Sequence, residues 1–101
     1  MTELEKDIER KLREMVEGYG GKCSKWVCPG MKGNPDRIVM MPRGRVYFVE
    51  LKRPKGGRLS PLQKIWHKWL RELGFWVFCI YNEEDIKTFE LLIKTGKSDI
   101  F

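Results

Sequence analysis

Histidine occurs once in the 101 residues, and the three cysteines form no Cys-x-x-Cys pair. One histidine with Cys23, Cys28 and Cys79 is too little for a tetrahedral zinc site. An odd, scattered set of thiols also argues against a disulfide framework and for a reducing, intracellular setting. No apolar run approaches the roughly 20 residues that a membrane-spanning helix needs. The opening TELEKDIERK is a charged helix start rather than a basic-then-apolar leader, so no signal peptide is expected. Repeats, low-complexity tracts and internal linkers are missing as well.

What is present fits one folded domain over residues 1–101. Hydrophobic residues make up 42% of the chain and four are tryptophans, a composition unlike that of a disordered tail. A chain this short builds a modest core, so added stability from a second subunit is unsurprising. The formal charge of +6 favours anionic partners, with nucleic acid first among them.

Apolar spacing predicts a helix over residues 2–17, with Leu4, Ile8, Leu12, Met15 and Val16 on one stripe. Thr2 and Glu5 are spaced as a capping box, and Gly18, Gly20 and Gly21 end the helix. KCSKWVC (22–28) reads as a short strand, followed by a loop rich in Gly and Pro. Residues 37–41 and 45–51 are β-rich runs joined by a Pro-Arg-Gly turn, an antiparallel hairpin. Ser60, Pro61 and Gln63 open a helix that Gly74 closes. FWVFCIY (75–81) reads as a buried strand, and residues 83–94 as a last helix. The order αβββαβα makes an α/β protein, a mixed sheet flanked by helices.

Chemistry concentrates in the hairpin. Val46, Phe48, Glu50 and Lys52 share one face of their strand, because side chains alternate. Val46 and Phe48 pack under a helix, and Glu50 and Lys52 continue that row past its apolar part. Asp36 starts the neighbouring strand, and a tight hairpin sets that start beside the other strand's end. Asp36 and Glu50 are therefore expected side by side at one rim. Two such carboxylates repel unless a positive charge lies between them, and Mg²⁺ or Mn²⁺ suits oxygen ligands. Lys52 adds a fixed cation that can orient water or offset charge on a phosphate.

The first helix offers a third acid. At about 100° per residue, Glu5 falls inside the apolar arc, between Leu12 and Val16, and Glu9 falls just past its edge. Glu5 is thus either a helix-borne ligand or the capping partner of Thr2. On the later helix the apolar arc includes Leu62, Ile65, Trp66, Trp69, Leu70 and Leu73. Gln63 lies at the edge of that arc, placed either to touch a metal-bound water or a phosphate or to cap Ser60. His67 lies further out and is expected to be exposed.

Pro35-Asp36 followed by Glu50-Leu51-Lys52 resembles the PD-(D/E)XK nuclease superfamily. The run GNPDRIVMMPRGRVYFVELKRPKGGRLSPLQKIWHKWLRELGFWVFCI, with its GxPD loop, VELKRP strand end and GRLSPLQ helix entry, is similar to the VRR-NUC family, and the resemblance covers nearly the whole chain. The resemblance implies a restriction-endonuclease-like core that hydrolyses DNA phosphodiesters with Mg²⁺ or Mn²⁺. Asp36 and Glu50 match the metal ligands, assisted by the Leu51 carbonyl, and Lys52 matches the catalytic lysine. Gln63 stands at the motif glutamine, and the helix-borne glutamate is assigned to Glu5. Compact members of this kind are often phage-encoded and resolve four-way (Holliday) junctions as homodimers, in the cytoplasm of a bacterial or phage-infected cell. Lys25 and Lys32 before the site, and Arg53, Lys55 and Arg58 after it, are candidates for holding the DNA backbone. The rival readings are a nuclease acting on flaps, DNA ends or RNA, and a module that binds branched DNA without cutting.

Overall fold

The computed structural model describes residues 3–53 and 56–95, with side chains from residue 6 onward. Helix α1 (Glu3–Gly18) leads into β1 (Lys22–Lys25), β2 (Arg37–Met41) and β3 (Arg45–Leu51). Helix α2 (Pro61–Glu72), β4 (Trp76–Ile80) and α3 (Glu83–Thr95) complete the order αβββαβα. The strands form one mixed sheet in the order β1-β2-β3-β4. The first two pairings are antiparallel, and β4 lies parallel to β3.

Alternation along β2 and β3 divides the sheet into two faces. Val39, Met41, Tyr47 and Val49 point to the face covered by α1 and α3, where Leu12, Val16, Phe89 and Ile93 complete the larger core. Phe48 points to the other face and packs with Leu70, Val77, Trp26 and Trp66 beneath α2. Helix α1 ends where Gly20, at φ 85°, takes a left-handed turn that Cβ-bearing residues avoid. The Gly21 amide then bonds back to the Val16 carbonyl. A 3-10 turn (Pro42–Gly44) closes the β2–β3 hairpin, and the register runs from Met41↔Arg45 to Arg37↔Val49. One step further along that register, Asp36 stands opposite Glu50.

Three expectations about the elements are revised. The strand read over 22–28 stops at Lys25, although the Trp26 amide still bonds the Asp36 carbonyl at 2.9 Å. The FWVFCIY strand is the sheet's edge, and only Val77 and Ile80 are buried in β4. Helix α2 is turned by about 80° from the position its apolar stripe predicts. Gln63, Trp66, His67 and Leu70 face inward, while Leu62, Ile65, Trp69 and Leu73 are left exposed. The Thr2–Glu5 capping box lies outside the described residues. The Ser60–Gln63 box is formed at both of its hydrogen bonds.

Candidate active site at the β2–β3 rim

Asp36 and Glu50 meet at the rim on the α2 face of the sheet. Asp36 is exposed, and its Oδ2 accepts a hydrogen bond from the Leu51 amide at 2.9 Å. Glu50 is 1% exposed, an environment that strongly disfavours a lone carboxylate. Burial first, then the hydrogen bond and charge of Asp36, push the Glu50 carboxyl up to about 9, against the pull of Lys52. Without a cation, Glu50 therefore holds its proton at neutral pH. Asp36 contributes to that shift through a hydrogen bond and its charge, and a hard cation between the two carboxyls can take the proton's place.

The main chain contributes as well. The Lys52 amide bonds the Ile80 carbonyl at 3.0 Å, on the β4 side. A trans peptide sets the preceding carbonyl on the opposite side, so the Leu51 oxygen points toward Asp36. Two carboxyls and a carbonyl thus converge on one rim, a donor set of hard oxygens that fits Mg²⁺ or Mn²⁺. Among the described residues no three His, Cys, Asp or Glu side chains gather as a ready-made metal cluster. The side chain of Glu5 lies outside the described residues. Its neighbour one turn on, Glu9, is bound to Arg37 at 2.5 Å, on the sheet face opposite the rim carboxyls.

Arg37 is not anticipated from the sequence, and His67 is expected on the exposed side of its helix. Arg37 is buried next to Asp36 in the chain but points to the α1 face, where it anchors α1 through Glu9. The alternation of β2 carried that signal: an arginine stands in line with Val39 and Met41.

His67, expected to be exposed, is 1% exposed. Its Nε2 lies 3.5 Å from Glu50 Oε1, a long contact, and Cys79 Sγ lies 3.9 Å from its Nδ1. Burial, then Arg71 and Lys52, lower the His67 pKa and favour a neutral ring. Burial and the nearby Glu50 raise the Cys79 pKa, so the thiol keeps its hydrogen. A neutral ring with its hydrogen on Nε2 donates toward Glu50 and accepts from the thiol on Nδ1. Gln63 completes the setting. Its Oε1 accepts from the Ser60 amide at 2.8 Å and its Nε2 donates to Glu50 Oε2 at 3.2 Å. The capping role is thus filled, and the same side chain also bonds Glu50. The rotation of α2 has its physical reason here: burying Glu50 requires polar partners more than the sheet requires Leu62 or Trp69.

Lys52 is half-buried, and its charge is felt at both Glu50 and His67. The basic candidates flank the rim. Arg53 and Arg58 line one cleft with Lys52 and Leu51. Lys25 lines another with Asp36 and Leu51. Lys32 is exposed on the loop before β2, and Lys55 lies outside the described residues.

An α/β sheet with a basic surround and paired carboxyls at the rim is an arrangement that can hold a hard cation against a phosphate. The chain belongs to the VRR-NUC domain family, whose model matches residues 4–83. A solved structure described as a VRR_NUC domain has a TM-score of 0.82 and 29% sequence identity, covering 92% of this chain and 97% of its own. The chain is also 39% identical over 80 residues to "Putative nuclease p44" of Acyrthosiphon pisum secondary endosymbiont phage 1, covering 79% of this chain and 85% of that protein. Nucleases of this family are typically metal-dependent, in keeping with the hard-oxygen donors at the rim. Among the described residues no helix is long and apolar enough to cross a membrane.

Proposed function

We propose that this chain, as a single domain, is a Mg²⁺- or Mn²⁺-dependent endonuclease that cuts branched DNA and resolves four-way junctions as a homodimer. The observation that carries the reading is the pairing of Asp36 with buried Glu50 beside Lys52. Asp36, Glu50 and the Leu51 carbonyl are the proposed metal donors, with Glu5 the proposed helix-borne contributor. A bound cation supplies Lewis-acid polarisation of the phosphate and a more acidic water. Lys52 offsets negative charge growing on the phosphate oxygens. Gln63 and His67 hold the two Glu50 oxygens in place, so that its carboxyl does not rotate away when it loses its proton. Lys25, Lys32, Arg53 and Arg58 around the rim, together with Lys55 of the same basic stretch of sequence, hold the DNA backbone without reading sequence, which suits recognition of shape.

The exposed stripe on α2 supports a second copy as partner. Leu62, Ile65, Trp69 and Leu73 recur at helical spacing, with Trp69 49% and Leu73 74% exposed. Lys68 and Glu72 lie along one flank of that stripe. Antiparallel packing about a two-fold axis near Trp69 sets each Lys68 beside the partner copy's Glu72. Two sites related by a two-fold axis also suit a reaction that needs two cuts.

The test is incubation with labelled four-way junction, flap, linear duplex and RNA, each with and without Mn²⁺. Junction cleavage that needs the cation and disappears in D36N is expected. Junction cleavage that survives in D36N or K52A at the wild-type rate overturns the assignment. Tight junction binding with no product under any divalent ion favours the non-cutting module instead.

A further inference from the structure

The loop between β1 and β2 presents two apolar side chains to solvent beside the proposed site: Val27 is 71% and Met31 51% exposed. With Lys25, Cys28, Asn34 and Asp36 they line a cleft of about 490 Å³. Apolar side chains at the tip of a loose loop would mean little, but this loop is tied down. Asn34 Nδ2 donates to the Trp26 carbonyl at 2.8 Å, and the Met31 amide bonds the Cys28 carbonyl at 3.1 Å. Trp66 Nε1 donates to the Lys32 carbonyl at 3.0 Å. Trp26 itself packs against Phe48 and Trp66. Gly33, at φ 96°, lies so close to α2 that a Cβ would come within 2.8 Å of the Leu62 backbone. The frame therefore holds Val27 and Met31 outward at a fixed place next to Asp36.

The surroundings indicate what covers them. Exposed Lys25 and Lys32 bracket the two side chains, which suits a phosphate chain on either side of an apolar group. The apolar part of a nucleic acid is the face of a base, which is available only where stacking is broken. We propose that Val27 and Met31 form a wedge that packs against an unstacked base beside the scissile phosphate, selecting branched DNA over continuous duplex. The proposal rests on the nuclease reading above and adds the means by which its substrate is recognised.

The test combines V27S/M31S with a four-way junction carrying 2-aminopurine at the branch point, bound to D36N chains so that the DNA stays whole. Because both residues are exposed, the double variant is expected to keep its melting temperature. With the wedge intact, binding changes 2-aminopurine emission at the branch but not in mid-arm. In the double variant that change is lost, and the preference for junction over duplex falls by roughly 10-fold, as expected when an apolar wedge against an unstacked base is removed. An unchanged preference and an unchanged emission response in V27S/M31S overturn the wedge, even if cleavage is normal. A branch-specific response from a wild-type chain that cuts nothing supports the wedge while removing the hydrolysis. Failure to bind any DNA removes both.

Discussion

Glu50→Gln should make the protein more stable at pH 8 in the absence of divalent cations. The carboxyl is pushed from 4.5 to about 9 by burial and by Asp36, so the fold favours its neutral form. That favourable contribution is fully present below pH 4.5 and is lost progressively as pH rises toward about 9. At about 1.4 kcal/mol per pH unit, the stability lost by pH 8, because the carboxyl ionises in the unfolded chain but stays protonated in the fold, is nominally on the order of 5 kcal/mol. Solvent reaches the neighbouring Asp36, and this screening reduces the realised loss to ~1–2 kcal/mol. Glutamine keeps the shape of the neutral acid; its oxygen accepts from Gln63 and its amide faces Asp36 and His67, whose neutral ring accepts once its hydrogen moves to Nδ1. Thermal unfolding should therefore show the variant melting higher by roughly 5–10 °C at pH 8, with the two chains converging near pH 5. Mg²⁺ should raise the melting temperature of the wild type and leave that of the variant unmoved. A variant that melts no higher at pH 8, or whose advantage persists at pH 5, would refute the reasoning.

Other perturbations probe separate parts of the structure. Glu9→Ala strands the buried Arg37 guanidinium and should cost about 3 kcal/mol in urea unfolding, whereas E9L/R37M should recover more than half of that loss. Ser60→Ala removes one half of the α2 capping box and should cost about 1 kcal/mol by the same measurement. Trp69→Glu should convert a two-chain particle into a one-chain particle by light scattering, with little change in melting temperature. Lys52→Ala should slow junction cleavage by roughly 100-fold or more in a single-turnover assay, and a loss below 3-fold would remove Lys52 from the chemistry.

Much of the fold was legible because it is written in local rules. The alternation of β2 and β3, the turn between them and the Ser60–Gln63 box each depend on residues a few places apart. The meeting of Asp36 with Glu50 followed from the same hairpin, since one register fixes every pair along it. The family motifs were legible for the same reason, being short and close in the chain.

The sequence by itself determined the order αβββαβα, the hairpin register and the set of acids that one rim brings together. Tertiary structure alone decided which side of α2 faces the sheet, that His67 is buried against Glu50, and that Arg37 reaches Glu9. It also decided that β4 is an edge. Periodicity reports how apolar a helix face is, but not what lies opposite it. Opposite α2 lies a buried carboxyl, and the cost of leaving it without polar partners exceeds the gain from burying a second row of apolar side chains.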